Sequence, residues 1–256
     1  MDVERLGEQL MYERQASEYN REQIDEILAQ VDSRRRRGAD MLYWEDVEIG
    51  DKLGPLVLPP WTLQDMAGPR TVGGAAAGPY AAVFEESYWS AKEEASRARV
   101  HPITRWPWGP GAEHEDPILA AYRGQPGSFD FGVQRTQLTQ QLLTNWMGDD
   151  GFIRRLQIAI RKPVYYGDVT TYTGTVVKKY VELQEGEEGS GAVSGRHEYH
   201  AVGIKIEGVN QVGETQAPGT ACVYLSSRKN GPVDLPVPHL ADSPYVPYET
   251  FYRDWY

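Results

Sequence analysis

Val133-Gln134-Arg135-Thr136-Gln137-Leu138-Thr139-Gln140-Gln141-Leu142-Leu143-Thr144-Asn145-Trp146-Met147 is the stretch whose reading decides the fold. Leu138, Leu142 and Trp146 recur at i, i+4 and i+8, which places them on one stripe of a helix. Gly148 supplies the stop. The period then changes from helical to alternating. Phe152 to Pro163, Val169 to Glu182, Gly195 to Glu207 and Gly219 to Leu225 read as four strands of an antiparallel sheet with one wet face. Turn residues fall between them, at Tyr166-Gly167-Asp168 and Gly186 to Gly191.

Upstream of the helix, Asp116-Pro117 opens a short second helix, with proline in the tolerated first position. Residues 67 to 112 are rich in glycine and proline and read as irregular, apart from a possible helix at 81–99; a loop-rich stretch of that length is more often a lid or binding loop than packing. Before it, Tyr43 to Asp51 alternates and ends in a turn, Leu56-Val57-Leu58 is a second short apolar run, and Thr62 is an N-cap candidate. Residues 1 to 37 read as helix, with Ile24, Ile27, Leu28 and Val31 on one face. Helices gathered on one face of an antiparallel sheet make an α+β domain. A long central helix wrapped by such a sheet is a hot-dog arrangement. The expected layout is a helical arm over 1–40, the main domain over 41–228 with 67–112 as an insertion, and an aromatic tail over 229–256.

The chain has 256 residues with 26 Lys plus Arg against 37 Asp plus Glu, a net charge of −11. That balance repels a phosphate backbone, so nucleic acid is not an expected partner. The local exception is Arg34-Arg35-Arg36-Arg37, read either as a solvated basic helix end or as an anion contact. No run approaches the roughly 18 apolar residues of a membrane span. The charged N-terminus does not read as a signal peptide, and a cytoplasmic location is the expectation. A single cysteine, Cys222, speaks against a disulfide framework or a cysteine metal cluster, and no metal or cofactor is expected. Seven Trp and 16 Tyr against five Phe favour interfaces and ligand walls over dry cores.

There are five histidines, and no HExxH, GxSxG or GxxxxGK[ST] pattern. His197 and His200, three apart in a strand, point to opposite faces. His114 differs. It stands in Glu113-His114-Glu115-Asp116-Pro117, just before the short helix, where an imidazole near neutral pKa suits a general base.

Four segments resemble the MaoC-like acyl dehydratase family, the (R)-specific 2-enoyl-CoA hydratases of hot-dog fold. Trp44 to Asp51 is similar to the family's opening strand and turn. His114-Glu115-Asp116-Pro117-Ile118-Leu119-Ala120 resembles its HxDPxxA segment. Gly127-Ser128-Phe129-Asp130-Phe131-Gly132-Val133 resembles the loop leading into the central helix. Arg161 to Asp168 resembles the turn between the first two long strands. The resemblance covers roughly 42 to 228, with His114 and Gly132 separated by 132 − 114 = 18 positions. It implies a hydratase or dehydratase acting on a 2-enoyl-CoA thioester, with His114 as base, Asp116 in a family position more often structural than catalytic, and the Gly132 N–H as oxyanion donor.

The chain departs from the family where an aspartate usually stands five residues before the histidine; that position is Gly109. Glu113, Asp116 and Asp130 remain as candidate acids. Trp106, Trp108, Glu113, Asp130 and Phe131 are the candidate substrate contacts, and the aromatic insertion suggests a bulky acyl group. The partners implied are an acyl-CoA substrate and a second hot-dog subunit, as homodimer or heteromer. The alternative to an enzyme is a non-catalytic acyl-CoA-binding subunit of a heteromeric hydratase.

Overall fold

The computed structural model describes residues 14–63, 65, 100–106, 112–185 and 196–235. Helix α1 (Arg21–Asp32) comes first, then strand β1 (Lys52–Leu58), helix α2 (Pro117–Tyr122) and the long helix α3 (Gly132–Met147). Strands β2 (Phe152–Ile158), β3 (Thr170–Glu185), β4 (Arg196–Asn210) and β5 (Gly219–Leu225) follow. The five strands form one sheet in the order β1-β3-β4-β5-β2, and every pair is antiparallel. Helix α3, which connects the halves of the chain that become the two edge strands, packs across the sheet against β1, β2 and β3. This is the α+β hot-dog fold expected from the sequence.

The core lies between α3 and the sheet. Leu142 and Leu143 are buried there with Leu53, Leu56, Val176, Val202, Ile204 and Val223, while Leu138 and Trp146 pack at its margin. The stripe Leu138-Leu142-Trp146 therefore faces the sheet as its spacing predicts. Gly54 lets β1 pass beneath the helix. Its φ is +83°, and a Cβ there would stand 2.9 Å from both Leu142 Cδ1 and the Tyr172 carbonyl oxygen. Gly148 ends α3 at the expected place, its N–H bonded to the Thr144 carbonyl.

Several expected boundaries move. Helix α1 starts only at Arg21, because Asn20 caps it reciprocally with Gln23; residues 14–20 are not helical. None of its residues is buried, and Ile24 and Leu28 are exposed. What holds the arm is the segment before it. Arg14 donates to Asp168 through both guanidinium nitrogens, one at 2.7 Å, and the Tyr19 hydroxyl donates to the Gly167 carbonyl at 2.5 Å. Asp168 is wholly buried and also accepts from the Tyr165 N–H, Gln211 and Gln216, so it binds the arm to the turn before β3. The run Tyr43 to Asp51 is a short 3₁₀ turn (Trp44–Asp46), with the strand following it at Lys52. The strand expected over Phe152 to Pro163 ends at Ile158. The expected helix over 81–99, most of the insertion and residues 236–256 of the tail lie outside the described residues. Among those described, no helix is long and apolar enough to cross a membrane.

Two outcomes follow from this architecture. Leu142→Ala removes a side chain only 1% exposed at the centre of the helix–sheet contact, and is expected to lower unfolding free energy by about 2–5 kcal/mol in denaturant titration. A loss below 0.5 kcal/mol would mean the helix does not carry the core. The second concerns Glu45, whose carboxylate accepts from the Ser227 hydroxyl at 2.6 Å and the Arg228 N–H at 3.1 Å. The Ser227 bond, with the Arg228 N–H adding to it, brings the Glu45 pKa down to about 2. A depressed carboxylate stabilises the fold above its ordinary pKa, and that contribution fades as pH falls towards 2. Carboxyl NMR titration should find Glu45 ionised at pH 4; a midpoint in the ordinary glutamate range would contradict the clamp.

Candidate functional site at the start of the long helix

His114 closes a 3₁₀ turn (Ala112–His114) immediately before α2. Asp116 caps α2: its Oδ1 accepts from the N–H groups of Ile118 at 2.8 Å and Leu119 at 3.2 Å. Its other oxygen faces His101 Nε2 at 3.2 Å. His101 Nδ1 accepts from the Ile103 and Thr104 N–H groups, so Nε2 carries the proton and donates it to Asp116. Asp116 therefore holds α2 and the 100–106 segment together. Its carboxylate is engaged there by the α2 N–H groups and by His101.

The other wall of the site is an extended segment, 128–131, running beside 163–166. Phe129 and Tyr165 form an antiparallel bridge, the Tyr166 N–H donates to the Ser128 carbonyl at 3.0 Å, and the Asp130 N–H donates to the Val164 carbonyl at 2.9 Å. This leaves the carbonyls of Phe129 and Asp130 for His114. Its Nδ1 lies 3.0 Å from each. Only a ring N–H can approach two carbonyl oxygens in this way, so the neutral ring carries its proton on Nδ1 and presents Nε2 as a lone pair. The ring is held between two aromatics, stacked on Phe131 at 4.1 Å and tilted against Phe129 at 4.2 Å.

The Asp130 side chain is committed within the fold. Its carboxylate forms a two-pronged pair with Arg135 at 2.6 Å for each bond and also accepts the Val164 N–H at 2.9 Å. Both side chains are buried, and Arg135 Nη1 reaches the Gln216 carbonyl. Asp130, an expected substrate contact, is thus one half of a buried ion pair. Phe131 is the residue before α3; its N–H is taken by the Gln134 side chain at 2.9 Å. The next N–H, of Gly132, has no acceptor among the described residues and stands at the positive end of a 16-residue helix. A Cβ on Gly132 would lie 2.6 Å from Ile160 Cδ1, so the glycine leaves this corner narrow.

The polar face of α3 divides. Gln134 and Arg135 are buried in structural bonds, whereas Gln137 and Gln140 are exposed. Two clefts flank the helix start. One, of about 200 Å³, is lined by Leu58, Trp61, Gln134 and Leu138 among others. The second, about 320 Å³, lies by Pro117, Gly127, Ser128 and Tyr165. Trp61 Nε1 and Ser128 Oγ are buried without a partner among the described residues, and neither stood out in the sequence. Burial raises the Tyr165 hydroxyl to about 12, where it stays protonated and donates to Gln125 at 2.8 Å. Trp106 is half exposed, at 54%, with its carbonyl bonded to the His101 N–H. Glu113 is part of the turn that carries His114. Trp108 and Gly109 lie outside the described residues.

No protein-family model matches the sequence, and no curated protein matches it. Among solved structures, the chain is similar to the ChsH1-ChsH2 complex from Mycobacterium tuberculosis, with 17% identity over 70% of this chain and 98% of that one, at a TM-score of 0.42. It is also similar to the (R)-hydratase from A. caviae involved in PHA biosynthesis, with 18% identity over 71% and 98%, at a TM-score of 0.42. The unliganded R-hydratase PhaJ1 from Pseudomonas aeruginosa is 14% identical over 81% and 96%, at a TM-score of 0.42. In structure, the chain is similar to MaoC-like dehydratases and (R)-hydratases.

Gly132→Ala tests the corner directly. Ile160 is 53% exposed and its end can swing away, so the variant should fold normally by circular dichroism. The Ile160 methyl groups should nevertheless shift in NMR spectra, and Ile160→Ala in the same chain should remove that strain. An unshifted Ile160 in Gly132→Ala would contradict the close approach.

Proposed function

We propose that this chain is a hydro-lyase that adds water to, or removes it from, a 2-enoyl-CoA thioester. The observation that carries the proposal is the tie between His114 Nδ1 and the carbonyls of Phe129 and Asp130. It makes Nδ1 the donor, so that in the neutral ring Nε2 holds the lone pair, and it ties the ring to the segment that runs on, two residues later, to the Gly132 N–H. In hydration, Nε2 takes a proton from water as the water oxygen bonds to the β-carbon. The π electrons of the alkene move towards the thioester carbonyl, whose oxygen gathers negative charge. The Gly132 N–H and the helix end favour that charge. The imidazolium then returns the proton to the α-carbon, and the ring regains its starting state. Dehydration is the reverse.

The proposed substrate carries a bulky acyl group. Support comes from the aromatic composition of the insertion, of which Trp106 is the described representative, and from the two clefts beside the helix start. The proposed assembly is a homodimer or a heteromer with another hot-dog subunit, because among the described residues β1 and β2 stand at the two edges of the sheet with no further strand paired to them. Light scattering should give a mass above 28.8 kDa; a monomer at micromolar concentration would contradict it. One observation favours a second reading, a binding subunit whose partner supplies the acid: the carboxylates of Asp116 and Asp130 are both bonded elsewhere.

His114→Ala is expected to lower enoyl-CoA turnover by at least about 100-fold, with the fold intact. Near-normal turnover would remove His114 from the mechanism. Inactivity of the purified chain, relieved by adding a second hot-dog subunit, would favour the binding-subunit reading. Cinnamoyl-CoA should be turned over faster than crotonyl-CoA, and Trp106→Ala should slow the former selectively. Equal rates in both proteins would contradict a bulky-acyl pocket built from this segment.

A further inference from the structure

At the opposite end of α3 from Gly132, on the order of 20 Å along the helix axis, lies a pocket of about 580 Å³. It takes no part in the chemistry proposed for His114. Among the described residues, Arg34 to Arg37 and Lys52 line it, against one acid, Asp40. In a chain of net charge −11, such a local excess of positive charge is unusual. Two of the arginines are used by the fold: Arg37 Nε donates to the Trp146 carbonyl at 2.7 Å and Arg34 Nε to the Val31 carbonyl at 2.8 Å. The Arg37 bond, with the Arg37 N–H on the Asn145 carbonyl at 3.0 Å, fixes the end of the run against the end of α3, while the Arg34 bond stays within the end of α1. Arg35 and Arg36 are exposed and have no acidic partner among the described residues. The pocket also has apolar walls, from Pro55, Leu142 and Trp146.

We propose that this pocket binds a nucleoside-diphosphate-type ligand, with its phosphates on Arg35 and Arg36 and its flat ring against the Trp146 and Pro55 wall. Guanidinium forks match phosphate oxygens in pairs, and a rigid neighbouring backbone reduces the ordering cost of binding. A pocket of this size suits a small organic ligand better than a bare ion. The apolar wall is what separates this assignment from a solvated basic helix end, which needs none.

The full chain is titrated with ADP and with pyrophosphate by calorimetry at low salt. The expected result is one saturable ADP site per chain, about tenfold tighter than pyrophosphate because of the ring contact. Arg35→Ala with Arg36→Ala should weaken ADP at least about tenfold. Both side chains are exposed, so the variant should keep its circular dichroism spectrum and thermal midpoint. His114→Ala should leave ADP binding unchanged. Absence of saturable binding, equal affinity for ADP and pyrophosphate, or full affinity in the double variant would each overturn the proposal.

Discussion

The ion pair between Asp130 and Arg135 is the constraint on which the site depends. It joins the segment before α3 to the first turn of that helix, and through the Val164 N–H and the Gln216 carbonyl it reaches two further loops. Two charges taken out of water are costly, and they persist only where geometry and further hydrogen bonds are good. Here each side chain has such bonds. The consequence lies in the backbone: with its side chain and N–H committed to 163–164 and Arg135, Asp130 turns its carbonyl to His114. Removing either partner would leave a buried unpaired charge at the root of the site, a change that typically costs about 3–5 kcal/mol.

Much of the fold was legible because it rests on period. The stripe Leu138-Leu142-Trp146 and the alternating runs after it fix a helix packed on an antiparallel sheet, and Asp116-Pro117 announces α2. The errors fell where local chemistry overrides period. Tyr43 to Asp51 alternates like a strand, yet Glu45 and Asp46 turn towards Ser227 and Arg228 and bend the segment into a 3₁₀ turn. The arm over 1–37 has a helical stripe, but Asn20 is a stronger start signal than any apolar spacing before it.

The site was half legible for a related reason. His114 and Gly132 are marked by chain position, one before a helix and one at the start of another, and His114 bonds the segment that runs into Gly132. The partners of Asp116 and Asp130 were not legible, because a carboxylate in sequence does not reveal what it bonds to. Asp130 precedes Arg135 by five residues, not the three or four of a surface helix pair, so spacing gave no hint of their contact. The burial of Arg135, wholly enclosed in a helix rich in glutamine, has no sequence signal either. Trp61 and Ser128 come into view only when the clefts are formed.

A backbone carbonyl in place of a carboxylate changes what the histidine can do. It fixes ring orientation and tautomer, as an acidic partner does, but adds no full negative charge to support an imidazolium. The proposed base is therefore defined by its tautomer, and nitrogen-15 NMR of the imidazole reads that tautomer directly. In the neutral form of the intact chain, His114 should show a protonated, pyrrole-like Nδ1 and a pyridine-like Nε2. A proton on Nε2 instead would contradict the carbonyl tether and leave Nε2 without a lone pair to act as base.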